Sequence, residues 1–181
     1  DGLITFGSET SGGMRHIIAR NLKAHGTKVG IRLKSARNRG GVVEDILLEN
    51  IQMDSVRTAF EVTPNWNPSY SYSKLPAGYD INKVPEHWKK MVTPVEPASK
   101  GIPTFQNIQI KNVFVKFAQR AINVDGLQEN PLQKFSLENV AITAKTAGVI
   151  RHAKNWQLNN VKVTAQDGTK VVLEDTENIN L

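Results

Sequence analysis

The chain has 181 residues, enough for one domain with its own core and tight for two. Its 39% hydrophobic and 22% charged residues fit a folded domain, and no run reaches the ~18 apolar residues of a spanning helix. A net charge of +6 tolerates acidic partners, and the absence of cysteine excludes disulfides, thiolate metal sites and a thiol nucleophile.

In chain order, Leu3-Ile-Thr-Phe6 reads as a strand, with no charged and apolar leader before it. The small polar segment Gly7-Ser-Glu-Thr-Ser-Gly-Gly13 comes next as a turn. Its glycines let backbone approach a ligand closely, and no Gly-Lys-Ser/Thr succeeds it to make a phosphate loop. Glu9 either bonds backbone amides there or faces a ligand.

From here one pattern recurs: apolar, any, apolar, any, Asn, apolar, any, apolar. It centres on Asn21, Asn50, Asn112, Asn139 and Asn160, spaced 29, 62, 27 and 21 residues apart. The alternation is that of strands, and the restart after Asn marks a tight turn that Asn tolerates in the left-handed conformation. Ten residues after the first four asparagines comes an apolar position, Ile31, Phe60, Ile122 or Val149, each preceded by Gly or Ala. Repeats of 20–50 residues with two strands at fixed offsets predict an all-β parallel β-helix of about five to six coils. Stacked asparagines would form a ladder of amide hydrogen bonds. The alternative, a β-sandwich with Asn-rich turns, does not explain the ten-residue offset.

The 62-residue interval holds an insertion at residues 64–103 within one coil of a single domain, 1–181. It contains seven of the eight prolines, Trp66, Trp88 and all three tyrosines (Tyr70, Tyr72 and Tyr79). Pro85–Met91 reads as a short helix. The aromatics either wall a sugar-binding cleft or pin the loop to the coils. The chain opens inside a strand, and Ile179-Asn-Leu181 reads as the start of another. Coils are therefore expected to be missing at the N-terminus, leaving an edge open to association.

Stacking the second strands predicts two outward columns: Arg32, Glu61, Asn123, Ile150 and Lys34, Thr63, Asp125, His152. Arg32 and Lys34 lie two residues apart on one side of a strand, a pairing that suits a carboxylate. The bland alternative is a solvated pair with Glu61 opposite Arg32. Glu61 and Asp125 are weak catalytic candidates: stacking and strand geometry put them roughly 8 Å apart, within the carboxyl separation of inverting glycosidases. His16, His25, His87 and His152 have no metal-ligand spacing, and no metal or cofactor is expected. The scattered basic residues form no helix-turn-helix, stacking platform or basic amphipathic helix, so nucleic acid and membrane are not expected partners.

Gly7-Ser-Glu-Thr-Ser-Gly-Gly-Met-Arg15, Gly30-Ile-Arg-Leu-Lys34, Arg39-Gly-Gly-Val-Val-Glu-Asp-Ile46 and Pro103-Thr-Phe-Gln-Asn-Ile108 resemble glycoside hydrolase family 28, the polygalacturonase and rhamnogalacturonase family. The bacterial branch looks most similar, and the match is to a C-terminal portion. The resemblance implies a right-handed parallel β-helix and inverting hydrolysis of an acidic pectic polysaccharide, galacturonan or rhamnogalacturonan. Arg32 and Lys34 would hold the uronate carboxylate, and Ser8 and Glu9 would shape the cleft floor. It also implies a secreted or periplasmic location. The family's catalytic aspartates lie in an Asn-x-Asp motif and an Asp-Asp pair upstream of the Gly-Ser-Glu turn; neither motif stands upstream of that turn in this sequence. Counting back from Gly7, the family's Gly-His-Gly histidine falls near Asp1. Two other classes share the fold: a non-catalytic carbohydrate-binding or structural β-helix, and a polysaccharide lyase that needs calcium-binding acids.

Overall fold

A computed structural model describes residues 2–71 and 73–180; Asp1, Tyr72 and Leu181, and the expectations that fall on them, lie outside the described residues. The chain is a parallel β-helix. Its strands are β1 (Gly2–Phe6), β2 (Gly13–His25), β3 (Val29–Lys34), β4 (Val42–Asp54), β5 (Val56–Thr63), β6 (Thr104–Asp125), β7 (Leu132–Lys154), β8 (Gln157–Ala165) and β9 (Val172–Glu177). All the pairings between them are parallel. On one side β1, β3, β5, the second half of β6, the second half of β7 and β9 stack in turn. On the other side β2, β4, the first halves of β6 and β7, and β8 stack.

The long strands turn corners without leaving the ladder, and the repeated asparagine is the corner. Asn21, Asn50, Asn112, Asn139 and Asn160 all have φ between 52° and 60°. A single left-handed residue breaks the in/out alternation, so that both Leu48 and Ile51 are fully buried although they are three residues apart. The side chains form the expected ladder. Asn50 Nδ2 donates to Asn21 Oδ1 at 3.1 Å, Asn112 to Asn50 at 3.1 Å, Asn139 to Asn112 at 2.9 Å and Asn160 to Asn139 at 3.0 Å.

A second corner lies five residues earlier in each coil. His16, Asp45, Asn107, Lys134, Asn155 and Asn178 occupy it with φ of 52–57°. Asn107 donates to the Asp45 carboxylate, and Asn178 Nδ2 donates to Asn155 Oδ1 at 2.8 Å.

The core fills the space between the sheets with Ile31, Leu33, Ile46, Leu48, Ile51, Ile108 and Val113, all at most 1% exposed. Each such side chain contributes about 1.5–3 kcal/mol relative to exposure. Phe135 and Trp156 stack with centroids 4.5 Å apart, and Trp156 Nε1 donates to the Leu132 carbonyl at 3.2 Å. The small residues before the apolar positions also face this core. A Cβ on Gly30 would clash with Met53 Sδ and lie 2.7 Å from the Ala59 carbonyl oxygen. Ala59, Ala121 and Ala147 continue the row, each fully buried.

The fifth coil departs from the expected register. β6 carries one extra residue between Val115 and Ala118, where Val115 pairs Ile142 but Ala118 pairs Ala144. This bulge moves the remainder of the β6–β7 pairing by one residue. Asn123 therefore stacks on Val149, not Ile150, and Asp125 on Arg151, not His152. The small residue of that coil is Ala147, not Gly148. At the C-terminus, Ile179 is not in a strand; it packs into the core at 7% exposure.

Residues 64–103 connect β5 to β6. Their described residues hold three short 3-10 turns and one helix, α1 (Glu86–Val92), directly after Pro85. The described residues contain no helix long and apolar enough to cross a membrane.

Candidate functional site

The site is built on β3 and β5. In β3, Ile31 and Leu33 point into the core and are fully buried, which forces Arg32 and Lys34 outward on the same side. In β5, Phe60 and Val62 are buried and Glu61 and Thr63 point outward beside them. The register pairs Arg32 with Glu61 and Lys34 with Thr63. Arg32 Nε lies 2.6 Å from Glu61 Oε1, an ion pair without hydrogen-bond geometry at that nitrogen, and the two side chains are only 22% and 16% exposed.

The connection after β5 then returns over the pair. The Trp66 backbone N–H donates to the Ser35 carbonyl at 3.2 Å, which anchors the indole next to the end of β3. Lys34 Nζ sits 4.0 Å from the Trp66 ring centroid and Arg32 Cζ 5.5 Å from it. Both are cation–π distances. Tyr70 packs against the same indole, with centroids 5.4 Å apart and ring planes tilted by 51°. Trp66 Nε1 is buried without a hydrogen-bond partner. That orphaned donor carries a desolvation cost of about 1–3 kcal/mol, so the indole contributes through its face rather than its N–H.

Lys34 has its ammonium held below the ordinary lysine range. Burial is the larger cause and the Arg32 charge the next, with Glu9 and Glu61 working the other way. Two cations and one carboxylate on a rigid strand pair leave a net positive site, suited to a ligand carboxylate. Arg32 provides a planar fork and Lys34 a point charge.

In the Gly7–Gly13 turn, Ser8 is buried, while the Glu9 side chain is 88% exposed. Glu9 makes no bond to backbone amides among the described residues; its Oε2 lies 3.8 Å from Arg39 Nη2, and its charge reaches Lys34. Phe6 pairs Leu33, so the turn begins beside Lys34. Asp125 is exposed and lies two residues beyond Asn123, the residue that stacks on Glu61. In the strand register it pairs Arg151. Among the described residues no group of three or more His, Asp or Glu is placed to hold a metal.

Sequence reasoning placed Arg32, Lys34 and Glu61 together but did not bring Trp66 to them. A signal was present: Trp66 comes three residues after Thr63, the stacking partner of Lys34, so the connection after β5 leaves the coil beside this pair.

No family model matches the chain. It is similar to a probable polygalacturonase of Vitis vinifera. The two are 26% identical over 140 residues, which is 77% of this chain and 24% of that protein. The chain therefore spans about a quarter of the length of the relative it matches.

Proposed function

We propose that the chain is part of a polygalacturonase-like glycoside hydrolase whose Arg32 and Lys34 hold a uronate carboxylate of a pectic polysaccharide. The observation that carries this reading is the presentation of the two cations, side by side on β3 and against one indole. A uronic sugar offers a carboxylate for the cations and an apolar ring face for nearby aromatic surface, and the similarity to a probable polygalacturonase points to the same substrate class. Glu9 would border the bound sugar from the Gly7–Gly13 turn, in which Ser8 is buried, and residues 64–103 would wall the cleft. The natural setting of such a protein is outside the cytoplasm, secreted or periplasmic. Its place is the C-terminal portion of a longer β-helix of the bacterial branch, whose inverting acid and base are supplied upstream.

A second reading, a carbohydrate-binding β-helix that does not cleave, draws on Glu61. Its carboxylate is engaged with Arg32 rather than set against a second carboxyl with room for a water. Isothermal titration of the chain with digalacturonate and with its neutral counterpart galactobiose separates these possibilities from an inert solenoid. Selective binding of the uronide, lost in Arg32→Ala, is expected; equal affinity for the neutral sugar would sink the site assignment. Reducing-end release from polygalacturonate by the chain alone would return Glu61 and Asp125 to the catalytic role.

A further inference from the structure

Ion pairs on this β-helix track the stacking. Arg20, Glu49, Lys111 and Glu138 form one row of alternating sign, with Arg20–Glu49 at 3.9 Å and Lys111–Glu138 at 3.1 Å. Arg15 meets Glu44 at 2.9 Å, Arg32 meets Glu61, and Arg151 meets Glu174 in the same manner. In these rows a cation on one coil is answered by an acid on the next, as expected for directly opposed side chains.

One region breaks the rule. Beside the Arg32–Glu61 pair runs a groove of about 570 Å³ lined by Lys28, Arg32, Arg57, Arg120 and Lys145, with Glu61 as its one acid among the described residues. Thr58, Arg120 and Thr146 stack in one row, and Arg57, Gln119 and Lys145 occupy the row next to it. No acid interrupts either of these rows of three. Arg57 makes no ion pair among the described residues, and Arg120 reaches only the neutral Asn123 Oδ1 at 3.3 Å. Lys145 feels Asp167, but that carboxylate accepts hydrogen bonds from the Thr169 hydroxyl and backbone N–H. Arg57, Arg120 and Lys145 are exposed and spread over three successive coils.

We infer that this groove is an extended binding track for a polyanionic saccharide, in which Arg57, Arg120 and Lys145 receive carboxylates further along the polymer than the two sugars of a digalacturonate at Arg32 and Lys34. The inference rests on the uronide reading above and deepens it, since it specifies a polymeric, free-acid substrate over a short or esterified one. Coils repeat about every 4.8 Å, so a chain carrying one carboxylate per sugar meets a fresh cation at each step along the helix. Neutral Thr58, Gln119 and Thr146 separate the cations within their rows, so the groove keeps its positive charge without direct stacking of like charges, and a bound polyanion meets an unneutralised field.

The test is a triple variant, Arg57→Gln/Arg120→Gln/Lys145→Gln, titrated with digalacturonate and with polygalacturonate at several salt concentrations. All three side chains are exposed, and circular dichroism verifies the fold. The expected result is about 10-fold weaker binding of polygalacturonate at low salt with a shallower salt dependence, and unchanged binding of digalacturonate. A second variant, Lys23→Gln/Lys162→Gln/Lys170→Gln, removes the same charge from elsewhere on the surface and is expected to bind polygalacturonate as the wild type does. Equal losses in both variants overturn the track in favour of net charge alone. Unchanged polygalacturonate binding in the first variant, with digalacturonate binding still lost in Arg32→Ala, overturns the track and leaves the uronide site standing. Failure of the wild type to bind either uronide overturns both readings. Tighter binding of single-stranded nucleic acid than of polygalacturonate, lost in the first variant, reassigns the groove to a different polyanion.

Discussion

Lys34 Nζ rests 4.0 Å from the centre of the Trp66 indole, so a residue of the connection between β5 and β6 completes a charge site built on the coils. The same ring receives Arg32 at 5.5 Å. Two like charges held this close would splay apart on a bare strand. The indole face offsets part of their repulsion without neutralising either.

Trp66→Ala is therefore expected to weaken digalacturonate binding by about 5–30-fold, from the roughly 1–2 kcal/mol of a partly desolvated cation–π contact. Trp66→Phe keeps a ring face and is expected to recover most of that loss, whereas Trp66→Leu keeps bulk and is not. Titration calorimetry on the three variants checks the order. Equal binding by Leu and Phe variants would reduce the indole to packing.

Glu61 competes with any bound carboxylate for Arg32. In Glu61→Gln the guanidinium loses its internal counter-ion, so digalacturonate affinity is expected to rise by about 3–10-fold while stability falls by roughly 1 kcal/mol, a modest figure for a pair that is partly solvated. Paired binding and urea-denaturation measurements test both signs at once. A fall in affinity would show that Glu61 contacts the sugar itself.

The repeat, the asparagine corner and the outward pairing of Arg32 with Lys34 were legible because each rests on a residue type that recurs at fixed spacing. The ladder asparagines needed only their pattern to be found, since Asn is the side chain that both tolerates the left-handed turn and bonds its own copy. The second corner was not legible. His16, Asp45 and Lys134 share the backbone conformation of Asn107, Asn155 and Asn178 but not their residue type, so the chain offers no unbroken pattern to read. The bulge between Val115 and Ala118 was equally hidden, since one surplus residue changes the pairing of all later positions in the coil without altering composition. Trp66 was visible as an aromatic, but its place over Lys34 depends on how the 64–103 connection folds back.

Lys134 marks a place where the second corner is poorly served. Its φ is 56°, a conformation that costs a lysine about 1–2 kcal/mol, and it sits between Asn107 and Asn155 in the stack. Lys134→Asn suits the left-handed turn and can join the amide ladder on both sides. It is expected to stabilise the protein by about 0.5–1.5 kcal/mol, read as a higher urea midpoint at an unchanged slope. The counterpart Asn112→Ala removes two ladder bonds and leaves a Cβ-bearing residue at φ 52° without a local partner. It is expected to cost about 2–4 kcal/mol.

Lys34 sets the pH behaviour of the site. Burial and the neighbouring Arg32 hold its folded-state ammonium below the ordinary lysine value of 10.5. Between that lowered value and 10.5 the unfolded chain binds more protons than the folded one, so this group makes stability rise with pH across that window. Ligand binding runs the opposite way, because the ammonium that attracts a uronate is lost as pH climbs through the same window. Digalacturonate affinity is thus expected to decline at an alkaline pH where an ordinary lysine is still charged. Lys34→Arg keeps its charge and should hold affinity further into the alkaline range. Titrations at stepped pH on both proteins measure this directly. Identical pH profiles would mean that Lys34 does not face the bound carboxylate, and that Arg32 alone carries the site.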